Sequence, residues 1–212
     1  MFINRKDAAE KLCVALSLYR NKGVLVLGIP RGGAEIAYHI ARYLNAELAL
    51  IIARKLGYPS NPEAAFGAIA EDGSIYLAPE ARENISDHNI EIIIEREKQE
   101  IERRIQSLRK GKPLPNLAGR TVVLADDGIA TGATVFAAIA CCRNREVGKI
   151  IVAAPIASAN MEFRLRKMVD EVIILEKPVF FYSVGQGYEY FDNLTDEEAI
   201  SFTKKWDYER LK

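Results

Sequence analysis

The chain has 212 residues, 49% of them hydrophobic, with 29 basic and 29 acidic side chains and no net charge. A chain of this size buries roughly 70% of its unfolded surface, enough for one α/β domain with an elaboration, and its balanced charge provides no overall field for nucleic acid or anionic membrane. No apolar run approaches the ~20 residues of a membrane span, the charged opening MFINRKDAAEK lacks the apolar core of a signal peptide, and Cys13, Cys141 and Cys142 form neither a disulfide framework nor a metal-ligand spacing, so a reducing cytoplasm is the expected setting.

Within residues 7–19, Ala8, Leu12, Ala15, Leu16 and Tyr19 recur at helical spacing, which predicts an amphipathic first helix ending near Gly23. Residues 24–27 read as a buried strand. Gly28-Ile29-Pro30-Arg31-Gly32-Gly33 then turns the chain into a helix running to about Leu44. The glycines permit close backbone approach, and Arg31 is a forked donor at the sheet edge where ligands bind. Residues 47–53 are the next predicted strand, followed by Arg54 and Lys55, two cations expected to face the same crevice as Arg31. Residues 56–65 contain Gly, two prolines, Ser and Asn without a clear period, and read as a loop. Residues 66–70 and 74–77, around Glu71-Asp72-Gly73, predict a hairpin. Residues 86–110 predict a long charged helix, with Ile90, Ile94, Ile101, Ile105 and Leu108 forming a seam for docking onto the domain or a second subunit.

Residues 122–134, VVLADDGIATGAT, hold the chemistry. Val122 to Ala125 read as a buried strand with Asp126 and Asp127 at its carboxyl end. A loop of Gly, Ala and Thr follows, and the spacing of Val135, Ala138, Ile139 and Cys142 has Gly132 opening a helix. Such a loop can bring several backbone N–H groups and the hydroxyls of Thr131 and Thr134 around one phosphate, helped by the helix N-terminus. Like charge keeps the aspartates off that phosphate, and they suit a neighbouring cation or sugar hydroxyls instead. A ribose 5-phosphate presents both features.

Downstream, residues 149–153 and 171–175 predict two more buried strands with a helix over 159–168 between them, and the alternation implies a parallel sheet. Phe180, Phe181, Tyr182, Tyr188, Tyr190 and Phe191 then gather with Gly185 and Gly187. These aromatics can stack on a planar base or simply cover the sheet end. Thr195 with Glu198 forms a capping box for a last helix over 196–206. His39 and His88 fall in predicted helices, and no Ser/His/Asp or Cys/His constellation can be assembled, which removes most support for a hydrolase.

Residues 122–134 resemble the phosphoribosyl diphosphate (PRPP) binding motif of the type I phosphoribosyltransferases: apolar strand, two acids, two mostly apolar positions, a small residue, Thr-Gly, any residue, Thr. Gly128 departs from it, where better-known members carry an apolar side chain. With GIPRGG, ARKLG and VGQGYEYF, the chain looks most like bacterial and archaeal phosphoribosyltransferases of undefined acceptor. The resemblance implies one α/β domain over 1–212 with a central, mainly parallel five-stranded sheet flanked by helices. It also implies an insertion of flap, hairpin and long helix over 54–118, and a C-terminal hood with the last helix over 176–212.

By the same resemblance, Asp126 and Asp127 hold the ribose hydroxyls and Mg2+, and Ala130, Thr131, Gly132, Ala133 and Thr134 hold the 5-phosphate. Arg31, Gly32 and Arg54 or Lys55 hold the pyrophosphate, with Asp126, Asp127 and Arg54 serving catalysis. Phe181, Tyr182 and Tyr188 meet the acceptor from the hood. The expected partners are PRPP, a small base acceptor and a second copy in a homodimer, with neither nucleic acid nor membrane. The expected reaction transfers 5-phosphoribosyl to a nitrogenous base and releases pyrophosphate, as in nucleotide salvage; the alternative is a non-catalytic PRPP-sensing regulator of the same fold. Ala130 stands where 6-oxopurine enzymes carry Asp, which favours another acceptor unless a flap residue such as Glu63 supplies the proton acceptor.

Overall fold

The computed structural model describes residues 1–210 and, at Glu63, the backbone alone, so the Glu63 side chain considered above lies outside the described residues. In chain order the elements are α1 (Arg5–Ala15), β1 (Leu25–Gly28), α2 (Gly32–Leu44), β2 (Glu47–Leu50), β3 (Ala53–Tyr58), β4 (Asn61–Ala70), β5 (Ile75–Leu77), α3 (Ala81–Asn84), α4 (Asp87–Arg109), β6 (Thr121–Ala125), α5 (Ala133–Asn144), β7 (Lys149–Ile156), α6 (Ala159–Arg166), β8 (Glu171–Glu176) and α7 (Asp196–Arg210). Five strands form a parallel sheet in the order β2-β1-β6-β7-β8, and β3, β4 and β5 form a separate antiparallel sheet.

Both faces of the parallel sheet are covered, which is why its central strands read as unbroken apolar runs. Alternate residues divide between two cores. Leu25, Leu27, Val122 and Leu124 pack with residues of α5 and α6, whereas Val26, Val123 and Ala125 pack with residues of α1 and α2. The strand order reverses at the centre, because β1 leads to β2 on one side while β6 leads to β7 and β8 on the other. In an open α/β sheet the ligand crevice forms at such a switch point, beyond the carboxyl ends of the strands. Gly28 and Ala125 are register partners there. The loops leaving β1 and β6 therefore start side by side.

Residues 56–65, an aperiodic loop by sequence, are the tip of the β3–β4 hairpin, with Tyr58 opposite Asn61. Prolines and register shifts around Gly57 hide the strand period. A Cβ on Gly57 would lie 2.4 Å from the Pro62 carbonyl oxygen, so the two strands pass closer than a larger residue permits. The first helix is also shorter than expected, giving way after Ala15 to a 3-10 turn at Ser17–Tyr19, and β2 stops at Leu50.

Helix α4 lies across the hairpin, burying Ile90, Ile93, Ile101 and Leu108 with Leu56, Phe66, Ile69 and Ala199 of α7. The isoleucine seam thus docks onto this chain's own hairpin and last helix, the first of the two partners its spacing offered. At the end of α4, Arg109 donates to the Leu50 carbonyl at 2.9 Å and pairs with Glu71, fixing the hairpin to β2. Thr195 and Glu198 exchange the two capping-box hydrogen bonds at the start of α7.

The two ends of the chain meet. The Phe2 N–H donates to the Gly187 carbonyl at 2.7 Å, the Glu189 N–H to the Phe2 carbonyl at 2.8 Å, and the Tyr190 N–H to the Ile3 carbonyl at 2.9 Å. This short pairing places the first residue of α1, Arg5, beneath the tail. All three cysteines are buried and unpaired, and burial pushes each thiol up to about 12, far from reactive thiolate. Among the described residues no helix is long and apolar enough to cross a membrane.

Candidate active site

Asp126 and Asp127 follow β6 directly into the switch point, and the glycines of the neighbouring loop press on them. A Cβ on Gly32 would lie 1.8 Å from Asp127 Oδ2, and one on Gly33 would lie 2.7 Å from the Ala125 carbonyl oxygen. Two glycines at 32 and 33 are thus a steric requirement of the acid pair. Gly132 takes φ 75°, a left-handed turn that releases α5 from Ala133. Beside the loop is a cavity of about 150 Å³ lined by Asp126, Ala130, Thr131, Gly132, Thr134 and Lys55 among others. It lies against the first turn of α5, whose N–H groups have no partner within the helix, and so it suits an anion. A Cβ on Gly128 would come within 2.3 Å of Val184 Cγ1. The apolar group missing from the motif at Gly128 is supplied by Val184 from the tail.

Arg54 and Lys55 separate. Consecutive residues of a strand point to opposite faces, and here Lys55 lines the cavity while Arg54 Nε donates to Glu97 Oε2 on α4 at 2.9 Å. Glu97 is buried and also accepts from Arg96 at 3.0 Å. Arg54, expected in catalysis, thus has its side chain turned to α4, where it ties the hairpin to that helix. Arg31 is exposed at the start of α2, beyond a cis Pro30–Arg31 peptide.

The three aromatics expected to meet the acceptor also diverge. Tyr182 is 85% exposed, its N–H donating to Gln186 Oε1 at 2.9 Å, and Phe181 is half-buried against the core beneath the tail. Tyr188 is 6% exposed, stacked on Phe191 and tilted against Phe2. Its ring, expected at the acceptor, is enclosed between Phe191 and Phe2.

Residues 3–189 match the phosphoribosyl transferase domain family. The chain belongs to this family. It is 40% identical over 204 residues to proteins of Mycobacterium tuberculosis, strains H37Rv and CDC 1551, provisionally named phosphoribosyl transferases, with 95% of this chain and 46% of theirs aligned. The chain thus spans about half the length of the curated relatives it matches. The crystal structure of TT1426 from Thermus thermophilus superimposes with a TM-score of 0.80 and 36% identity, over 97% of this chain and 98% of that one.

In this member of the phosphoribosyl transferase family, the residue at the acid pair that sequence reasoning missed is Arg5. Its Nε donates to Asp127 Oδ2 at 2.7 Å, its Nη1 donates to the Asp192 carbonyl at 2.8 Å, and its guanidinium sits 4.1 Å from the centroid of Phe191. The Tyr188 hydroxyl donates to the Asp127 carbonyl. Arg5 sits in an ordinary charged helix start, and no spacing in the sequence marks it.

Burial, and then the Asp127 carboxylate beside it, raise the pKa of Asp126 well above the usual carboxylate range. Burial raises Asp127 as well, against the opposing pull of Arg5. Mg2+ is held by one or two carboxylates together with substrate phosphates and water. The donor set fits that pattern, since two adjacent carboxylates stand beside a cavity suited to an anion.

Proposed function

We propose that this protein uses PRPP with Mg2+ to transfer the 5-phosphoribosyl group to a nitrogenous base, releasing pyrophosphate. One observation carries the reading: the anion cavity at residues 130–134 and the acid pair against Gly32 meet at a single switch point. In this reading the 5-phosphate rests on the N–H groups of the loop, the hydroxyls of Thr131 and Thr134, and Lys55, which lines this cavity and is therefore assigned here instead of to the pyrophosphate. The ribose hydroxyls meet Asp126 and Asp127, and the pyrophosphate lies along the loop of Arg31, Gly32 and Gly33. Asp126 and Asp127 would hold Mg2+, which when bound supplies charge neutralisation at the pyrophosphate oxygens.

Departure of pyrophosphate leaves positive charge on the ribose ring. The acid pair offsets that charge in a site already organised before the reaction, and the phosphate loops hold the reacting ends in place. A protein nucleophile is not required, in keeping with the inert thiols and with a cavity lining that includes no histidine among the described residues. The test incubates the protein with PRPP, Mg2+ and a panel of nucleobases and measures pyrophosphate release. Release with at least one base is expected. PRPP binding without turnover across the panel would favour a sensing regulator, and no thermal shift at millimolar PRPP would overturn both.

A further inference from the structure

The cation set against the acid pair comes from outside both substrate loops. The Arg5 side chain is 7% exposed and that of Asp127 14%, so this is a buried pair rather than a surface contact. Arg5 is itself fixed by the Asp192 carbonyl and the Phe191 ring, and Asp127 is fixed by Gly32 at its carboxylate and by Tyr188 at its carbonyl. The arrangement therefore links the acid pair to the tail through the Arg5 guanidinium and the Tyr188 hydroxyl. Asp126 Oδ1 accepts instead from the Asp127 N–H, at 2.9 Å.

We propose that Arg5 is a positioning residue that holds Asp127 and keeps the acid pair from taking up a divalent cation before the phosphorylated substrate arrives. The inference rests on the phosphoribosyl-transfer reading. A guanidinium hydrogen-bonded to a carboxylate oxygen occupies its lone pair and repels a second cation. With Asp127 so engaged, the pair provides too few free oxygens for Mg2+ alone, and the ion is retained when PRPP contributes the rest. Without Arg5 the two adjacent buried carboxylates lack a counter-ion, and a divalent cation then competes only with protons for them.

The experiment titrates Mn2+, a paramagnetic stand-in for Mg2+, into the full chain and counts free ion by electron paramagnetic resonance, with and without PRPP. Wild type is expected to bind Mn2+ weakly alone and tightly with PRPP. Arg5→Met is expected to bind Mn2+ without PRPP about tenfold tighter or more, the lower end of the changes made by groups touching metal-holding side chains. Arg5→Lys, which keeps the charge, is expected to stay near wild type. A folded Arg5→Met with wild-type Mn2+ affinity would reduce Arg5 to a packing role and overturn the inference.

If Arg5→Met fails to fold, Arg5→Gln, which keeps polar contacts without charge, gives the same comparison. If both unfold, wild type decides, since Mn2+ binding as tight without PRPP as with it overturns the proposal. Should wild type bind no PRPP, the phosphoribosyl-transfer reading fails separately, and the Mn2+ affinities of wild type and variant still decide what Arg5 does.

Discussion

Gly32 and Asp127 touch across the switch point so closely that a Cβ on Gly32 would lie 1.8 Å from Asp127 Oδ2. A side chain fits there only if the carboxylate gives way, and that carboxylate is also held by Arg5. Gly32→Ala is expected to lower stability by about 1–3 kcal/mol, the usual scale of overpacking. Transfer should fall by about 100-fold, the cost of misplacing a reacting group by ~1 Å. Melting curves and steady-state rates measure the two effects, and a variant with wild-type turnover would show that the contact has no bearing on the site.

Asp127→Asn keeps the shape and removes the charge. Transfer is expected to fall by about 10²- to 10³-fold, the scale of removing one preorganised electrostatic contact. Viewed from the sequence, a carboxylate in an open crevice would be lost without cost to stability. The buried pair with Arg5 changes that expectation. The amide still accepts a hydrogen bond, so a loss of about 1–3 kcal/mol is expected rather than the full penalty of an unpaired buried charge. Chemical denaturation of both proteins checks it.

Lys55 and Arg54 offer a comparison within one dipeptide. Lys55→Met is expected to weaken PRPP binding by about tenfold, equivalent to one charge-assisted contact of about 1.5 kcal/mol. Arg54→Met is expected to leave PRPP affinity near wild type and to lower stability by about 1–2 kcal/mol as buried Glu97 loses one of its two arginines. Calorimetric titration with PRPP and thermal melts of both variants separate the roles. The assignment of faces fails if Arg54→Met is the one that loses PRPP.

His39 sets a pH dependence away from the site. Burial lowers its pKa from 6.5 to about 4. A base whose folded value is depressed adds stability that is fully present above its unfolded value and lost as pH falls through the folded one. Wild type should therefore lose about 1–2 kcal/mol relative to His39→Gln between about pH 6.5 and pH 4, after discounting for partial exposure. Urea midpoints of both proteins across that range give the difference directly, and a constant gap would contradict the buried-neutral assignment.

Much of the frame is legible without coordinates. Val24 to Leu27 and Val122 to Ala125 announce buried strands because burial on both faces leaves no polar position in either run. The residues after them, glycines in one loop and an acid pair followed by Thr-Gly in the other, announce their chemistry because each type suits few alternatives at a strand's carboxyl end. The β3–β4 hairpin was hidden because prolines and register shifts break the strand period at its tip. Residues 66–70 and 74–77 kept their hairpin signal, since a Gly-containing turn joins them locally.

Arg5 and Asp127 stand 122 positions apart, and no periodicity or motif spacing joins two such sites. They meet because Phe2 and Ile3 pair with the tail at residues 187–190. Likewise, the pleat phase of β3, set by its register against β4, sends Lys55 to the cavity and Arg54 to Glu97. Local patterns report how each residue sits on its own strand or helix. Which charge faces which depends on the surfaces that the chain topology brings together, and that belongs to the assembled fold.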